Sequence, residues 1–267
     1  MRSEKRRQLE MTVTAIQRRW GQEALRKLET RPATVEVPCI STGFQALDQA
    51  LGIGGLPKGR VIELSGPATS GKTTLALKFL AQAQVDGQVG VVDCFRVFDP
   101  DYAYRCGLDL ARLLIVAPYG FEEALAMTEA IVRSGSLSAI VFDGLDISGS
   151  ELYSAPLFAA CLARMVAPLA QSGMVLLFLS ATDRRSDLSA PVGAGRNISL
   201  ATAGRSTGLA YHAAVRLSIE REQWIRNQGD VRGYHARVEI LKNRLGPSQR
   251  AVTISIRFNG TVHGDGL

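Results

Sequence analysis

Short runs of apolar residues alternate with segments compatible with helices along the middle of the chain. The apolar runs predict strands at 61–65, 89–94, 113–116, 139–142 and 175–179. The segments between these runs predict helices at 74–84, 100–107, 121–134 and 156–171. Buried strands that alternate with helices are typical of a parallel sheet covered on both faces, so we expect an α/β fold.

The pattern changes after Gly208. Polar and apolar residues alternate at 215–220, 236–241 and 252–257, without long helices between these segments. A period of two residues predicts strands. We therefore expect three antiparallel strands that extend one edge of a mostly parallel central sheet.

The first residues of the chain predict a separate helical arm over residues 4–29, because apolar side chains recur there at helical spacing. This apolar stripe consists of Leu9, Val13, Ile16 and Trp20. Pro32 and Pro38 forbid helix and favour an extended linker after the arm. The expected organisation is an N-terminal helical arm and linker over 1–38, followed by one core domain over 39–267.

A phosphate-binding loop is predicted between the first core strand and the helix that follows it. The pattern G-x-x-x-x-G-K-[ST] is matched in full by Gly66, Pro67, Ala68, Thr69, Ser70, Gly71, Lys72, Thr73 and Thr74. In such a P-loop, backbone N–H groups and the helix N-terminus surround a phosphate. Lys72 is expected to reach the β- and γ-phosphates, and the hydroxyl of Thr73 to hold Mg²⁺. The sequence therefore predicts a nucleoside triphosphate site.

Asp143 is the predicted partner of this loop in binding the metal. It ends the apolar run 139–142 and follows the P-loop at the distance expected of a Walker B aspartate. Such a carboxylate faces the Mg²⁺ shell through water.

Composition and charge bound the remaining choices. The hydrophobic content is 46%, and no uncharged apolar run approaches 18 residues, so we expect a cytoplasmic protein without a membrane span. The basic N-terminus lacks the apolar core of a signal peptide. The four cysteines have no C-x-x-C spacing, so reduced thiols are expected rather than a zinc site.

Positive charge is concentrated in a stretch rich in Gly, Ser and Ala, which contains Arg184, Arg185, Arg196 and Arg205. The formal net charge of +6 permits an anionic partner. A solvated basic surface would account for the same residues. Their position in a predicted loop of a nucleotide-binding domain favours nucleic acid.

Together these features resemble the bacterial RecA recombinases, from the arm through the ATPase core. Residues 40–43 and 47–60 are similar to the family's segment before the P-loop strand, and 214–217 to the strand that leaves its second DNA loop. The similarity of 99–103 implies that Asp99 and Tyr102 lie at the adenine base. The similarity of 242–244 implies that Lys242 and Arg244 reach ATP across a filament interface. The chain stops soon after the last core strand, so the family's C-terminal domain is not expected in it.

Two departures from the family concern hydrolysis. Phe95 stands where the family has a glutamate that polarises the attacking water, and Ala181 stands where it has a glutamine that senses the γ-phosphate. Loss of a water-positioning group costs roughly a hundredfold to ten-thousandfold in rate. The first DNA loop, 147–156, is shorter than in the family, and the second, 183–209, lacks the family's glycine pair.

The resemblance and its departures imply a RecA-like protein of DNA repair, recombination or the SOS response. It is expected to bind ATP and Mg²⁺, to hydrolyse ATP slowly or not at all, and to bind single-stranded DNA weakly. Residues 4–29 are expected to dock on another copy or on RecA. Two alternatives remain open: an active DNA-dependent ATPase that uses Glu63 or Asp93, and an adaptor of RecA or a translesion polymerase that does not bind DNA.

Overall fold

A computed structural model describes residues 2–22, 25, 37–145, 155–181, 208–258 and 262–264. The chain divides into two units, Met1–Glu36 and Val37–Leu267. The four arginines of the predicted DNA loop and most of both predicted DNA loops lie outside the described residues.

The described part of the first unit includes helix α1 over Arg2–Trp20. The helix ends earlier than the predicted arm because Gly21 adopts φ 92°, a left-handed conformation that suits glycine. The N–H of Gly21 still donates to the carbonyl of Gln17 at 2.9 Å, which closes the last turn. Helix α1 thus ends at Trp20, and residues 23–24 and 26–29 of the predicted arm lie outside the described residues.

The second unit is built around strands β3 to β11, while β1 (Cys39–Ile40) and β2 (Leu56–Pro57) form a small antiparallel pair. The strands of the main sheet are β3 (Val61–Gly66), β4 (Val89–Asp93), β5 (Leu113–Val116), β6 (Ala139–Leu145), β7 (Val175–Ala181), β8 (Val215–Asn227), β9 (Asp230–Asn243), β10 (Arg250–Phe258) and β11 (Val262–His263). Within the described residues their order is β11-β10-β9-β8-β3-β7-β6-β4-β5. Strands β8, β3, β7, β6, β4 and β5 are parallel, and β9, β10 and β11 extend the β8 edge in antiparallel fashion. The predicted fold class is confirmed.

Helices cover both faces of this sheet. They are α2 (Gln45–Leu51), α3 (Lys72–Ala83), α4 (Pro100–Arg105), α5 (Phe121–Ser134), α6 (Ala155–Ser172) and α7 (Leu209–His212), with a short 3₁₀ turn at Leu110–Arg112. On one face, Leu47 and Phe79 of α2 and α3 are buried against the strands. On the other, Phe158 of α6 packs against Phe178 of β7 with ring centroids 5.7 Å apart. Among the described residues, no helix is long and apolar enough to span a bilayer.

The β8–β9 hairpin is longer than predicted and positions part of the site. Strand β8 pairs with β3 only as far as Ser218, opposite Ser65. Its pairing with β9 continues to Asn227 opposite Asp230. The hairpin therefore extends past the end of β3, where the P-loop begins.

Candidate nucleotide site

The P-loop connects the carboxyl end of β3 to the first turn of α3, as predicted. Gly71 precedes the helix with φ 104°, and Thr69 adopts φ 59°, which is unusual for a residue with a side chain. A Cβ on Gly66 would lie 2.3 Å from the carbonyl oxygen of Ile219. Glycine is thus required at Gly66 by close packing and favoured at Gly71 by the backbone angle.

Lys72 lies across the start of this loop. Its Nζ donates to the carbonyl oxygens of Gly66 at 2.6 Å and Pro67 at 2.8 Å. Within the described part of the chain, the buried hydroxyl of Ser70 has no hydrogen-bond partner. Because buried polar groups are nearly always paired, a polar ligand or a water molecule at the loop would complete the hydrogen bonding of this hydroxyl.

A cavity of about 200 Å³ lies beside the loop. Its lining includes four side chains that the sequence assigned to the nucleotide or metal, namely Thr73, Asp99, Tyr102 and Asp143. Across the described residues, no three His, Cys, Asp or Glu side chains are grouped closely enough to hold a metal by themselves. A Mg²⁺ ion here would therefore take Thr73, Asp143, water and phosphate oxygens, a set of hard oxygen ligands that suits it.

Two carboxylates meet in the cavity at the ends of neighbouring strands. Asp93 of β4 lies in register with Asp143 of β6. Burial raises the pKa of Asp143, the negative charge of Asp93 raises it further, and Lys72 opposes both effects. The oxygens of Asp93 accept hydrogen bonds from the N–H groups of Val97 at 3.1 Å and Phe98 at 2.8 Å. Asp93 thus fixes the loop that carries Phe95.

The predicted base-side residues begin α4. Asp99 caps this helix by accepting from the N–H of Tyr102 at 3.0 Å. The hydroxyl of Tyr102 lies 2.6 Å from Oγ1 of Thr74, which also accepts from the hydroxyl of Tyr234 at 3.3 Å. Burial raises the pKa of Tyr102 to about 12, so its hydroxyl stays protonated at neutral pH. This arrangement fixes the Tyr102 ring at the cavity wall.

The two positions that the sequence resemblance predicts to be altered, Phe95 and Ala181, lie at or just after the ends of strands. Phe95 follows β4, and its side chain is 51% exposed. The next residue, Arg96, has φ 56° and stacks over the ring of Tyr119 at 4.6 Å. Ala181 ends β7 beside Gly66, where its methyl group can neither donate nor accept a hydrogen bond.

Glu63 faces away from the cavity and is already paired. Its oxygens accept from Nε of Arg216, with which it forms a salt bridge, and from the hydroxyl of Ser180 at 3.1 Å. Its side chain is 3% exposed. The geometry does not place Glu63 where it could orient a water on a phosphate.

Lys242 and Arg244 lie toward the amino end of β3, away from the P-loop. Lys242 of β9 lies opposite Arg216 of β8, and Arg216 lies opposite Glu63 in the middle of β3. Nζ of Lys242 donates to the carbonyls of Ala210 at 2.6 Å and Tyr211 at 3.2 Å, and Arg244 also donates to Tyr211. Burial and the neighbouring guanidinium groups lower the pKa of Lys242.

Two residues at the P-loop were missed by sequence reasoning. Nη1 of Arg221 donates to the carbonyl of Thr69 at 3.3 Å, and the hydroxyl of Tyr234 lies 2.7 Å from where a Cβ on Gly71 would be. Both residues come from the β8–β9 hairpin, far along the chain from the loop. No motif marks them, and no pattern in the sequence indicates that the hairpin reaches the loop.

Comparison with known proteins gives the family context. The model of the RecA N-terminal domain matches residues 7–263. The chain is 34% identical to protein RecA of Sinorhizobium fredii over 276 residues, covering 98% of this chain and 74% of that protein. It is 33% identical to protein RecA of Chloroherpeton thalassium over 280 residues, covering 100% of this chain and 75% of that protein. The crystal structure of the RadB recombinase shares the fold, with a TM-score of 0.59 at 20% identity over 81% of this chain and 96% of that one.

Proposed function

The chain belongs to the RecA family, and we propose that it binds ATP with Mg²⁺ and acts as a DNA-binding protein of recombination or repair that seldom hydrolyses its nucleotide. The observation that carries the proposal is the contrast within one site. Thr73 and Asp143 line the cavity beside the P-loop, which supports nucleotide binding. The half-exposed Phe95 stands, by the resemblance in sequence, where the family has its water-polarising glutamate, which supports slow hydrolysis.

Binding is supported by the loop and the cavity beside it. The unpaired hydroxyl of Ser70 and the ammonium group of Lys72 both belong to the loop that would surround the phosphates. Thr73 and Asp143 offer oxygen ligands to Mg²⁺, while Asp99 and Tyr102 line the wall that would face the base. Lys72 and Thr73 lie in the first turn of α3, Asp143 lies on β6, and Asp99 and Tyr102 lie at the start of α4.

Slow hydrolysis is supported by the hydrogen bonds and the salt bridge in which the nearby carboxylates already take part. Asp93 holds the loop after β4, Asp99 caps α4, and Asp143 lies where the metal shell would be. Glu63 is buried against Arg216. These existing contacts of Asp93 and Glu63 support slow hydrolysis over an active ATPase that uses either of them.

Contact with DNA and with another protein is the finer part of the proposal. Arg184, Arg185, Arg196 and Arg205 would supply weak, salt-dependent affinity for single-stranded DNA. The arm would dock on a second copy or on RecA, because Leu9, Met11 and Trp20 are each about 60% exposed along α1. A role in the SOS response would follow from such docking.

Isothermal titration calorimetry with ATP and Mg²⁺ tests nucleotide binding. Lys72→Ala is expected to abolish the binding heat, and Thr73→Val to remove the part that depends on Mg²⁺. Lys58→Ala is the matched control, since Lys58 pairs with Asp86 at 2.8 Å and lies outside the cavity lining. Unchanged affinity in Lys72→Ala would show that the P-loop does not bind the nucleotide.

Fluorescence anisotropy with a labelled single-stranded oligonucleotide tests DNA binding. Affinity is expected to fall steeply between low and physiological salt, and replacing the four loop arginines by Gln is expected to weaken it further. Absence of binding even at low salt would remove the DNA-binding part of the proposal and favour an adaptor that contacts RecA or a polymerase directly.

A further inference from the structure

The base of the β8–β9 hairpin touches the P-loop from outside. Pairing between β3 and β8 stops at Ser65 and Ser218, and the hairpin then continues past the loop. The next residue, Ile219, approaches Gly66 so closely that a Cβ there would lie 2.3 Å from its carbonyl oxygen. The backbone of the hairpin therefore forms the outer wall of the loop.

Two side chains of the hairpin contact the loop where its backbone is left-handed. Nη1 of Arg221 donates to the carbonyl of Thr69, whose φ is 59°. The Tyr234 hydroxyl lies against Gly71, whose φ is 104°, and donates to Oγ1 of Thr74. A positive φ is costly for a threonine, so an external hydrogen bond at that carbonyl favours the conformation that the loop needs.

We propose that Arg221 and Tyr234 are positioning residues that hold the P-loop in the backbone conformation that binds phosphate. Nucleotide binding at the loop is thereby coupled to the conformation of the hairpin. The proposal rests on the proposed nucleotide binding and adds to it the elements that prepare the loop. Neither side chain lines the cavity, and both contact the loop through Thr69, Gly71 and Thr74.

Arg221 and Tyr234 also contact the exposed indole ring of Trp224. The guanidinium of Arg221 lies over the ring of Trp224 at 4.2 Å, and that ring meets Tyr234 edge-on with centroids 5.9 Å apart. Trp224 is 40% exposed. On the other side, Thr74 joins Tyr234 to Tyr102 at the cavity wall. An unbroken set of contacts thus links the cavity to Trp224, so nucleotide binding is expected to change the emission of Trp224.

The test uses the full chain carrying Trp20→Phe, which leaves Trp224 as its only tryptophan. ATP and Mg²⁺ are titrated into this parent while Trp224 emission and calorimetric affinity are measured. Tyr234→Phe and Arg221→Gln are each expected to weaken ATP binding about threefold to tenfold, the loss typical of one hydrogen bond. Arg221→Lys is expected to restore part of the affinity.

Arg226→Gln is the matched control, because Arg226 lies on the same strand nearer the tip of the hairpin and is exposed. It should bind ATP like the parent. In the parent, emission should change saturably with ATP, and this change should shrink in Arg221→Gln at saturating nucleotide. A merely structural role would lower stability without affecting this signal.

Two results would overturn the proposal, and they differ. If the parent binds ATP but Tyr234→Phe and Arg221→Gln bind it equally tightly, with Trp224 emission unchanged throughout, then the hairpin is not coupled to the loop. If the parent gives no binding heat at all, the proposed nucleotide binding fails and the coupling fails with it.

Discussion

Asp93 and Asp143 face each other in register at the ends of β4 and β6, but their side chains have different surroundings. Asp93 accepts two backbone hydrogen bonds that fix the loop after its strand. Asp143 lines the cavity, where burial and the charge of Asp93 raise its pKa. A buried carboxylate of this kind stabilises a bound cation but destabilises the protein that lacks one.

Asp143→Asn should therefore raise the thermal stability of the nucleotide-free protein and remove Mg²⁺-dependent ATP binding. The side chain keeps its shape while losing a charge that burial and Asp93 disfavour. A rise in melting temperature on the order of 1–4 °C is expected at pH 7. Differential scanning calorimetry measures the gain, and titration with ATP and Mg²⁺ measures the loss.

The pH dependence of that gain has a defined sign. Because the folded-state pKa of Asp143 is raised, its destabilising charge is present above that pKa and absent below the ordinary Asp range. The advantage of Asp143→Asn should thus be greatest at neutral pH and should vanish as the pH falls toward that range. If the gain in stability of Asp143→Asn did not change with pH, the destabilising charge would not be that of Asp143.

Removing one charge of the buried salt bridge between Glu63 and Arg216 should strongly destabilise the folded protein. Glu63→Gln leaves the guanidinium, whose side chain is 12% exposed, without its charged partner. The expected loss is about 3–5 kcal/mol in the free energy of unfolding, measured with urea. Asp230→Asn is the control, because it breaks an exposed pair with Arg232 and should cost less than about 1 kcal/mol.

Glu129 should make the contact between α5 and α6 sensitive to acid. Hydrogen bonds from Arg164 and Arg133 lower the pKa of Glu129 to about 2 from an ordinary 4.5. A lowered pKa means that its stabilising effect is complete above the ordinary value and is lost as the pH falls from 4.5 toward 2. Glu129→Gln should therefore melt at a lower temperature near neutrality, and its curve should converge with that of the wild type in acid. Parallel curves would mean that the ion pair contributes nothing to stability.

The sheet and the P-loop could be predicted because their signals are local. Runs such as 139–142 are apolar throughout, as strands buried on both faces must be, and the nine-residue loop carries its own motif. The strands at 215–220 and 236–241 were recognised by alternation, but their full length was not. Trp224 and Val231 lie in the outer halves of these two strands, and both are exposed. The hydrophobic pattern alone therefore did not indicate how far the strands continue.

The support of the site could not be predicted because it depends on pairing between distant segments. Arg221 and Tyr234 reach the loop only after β8 has paired with β3 and β9 with β8. The two amide hydrogen bonds of Asp93 likewise depend on the turn that follows β4. The motif identifies the residues that would touch the nucleotide, whereas the residues that hold the motif in place carry no sequence pattern of their own.

Placing a carboxylate at Phe95 tests the proposal that this position lacks a water-positioning group. Phe95 is half-exposed, so a glutamate there needs no burial of charge. Phe95→Glu is expected to raise ATP turnover, measured as phosphate release. Val85→Glu is the control, because Val85 is exposed and lies outside the cavity lining, so it adds the same charge away from the site. An equal rise in both variants would assign the effect to charge rather than to position.

The most direct test of the central claim is single-turnover hydrolysis of ATP bound to the wild-type chain, followed with saturating single-stranded DNA. The account predicts that bound ATP remains largely intact and that DNA changes the rate little. The rate should lie roughly a hundredfold to ten-thousandfold below that of protein RecA of Sinorhizobium fredii, measured in parallel. A robust rate that DNA stimulates to the level of that RecA would show that another residue orients the water, and the role given to Phe95 would be wrong.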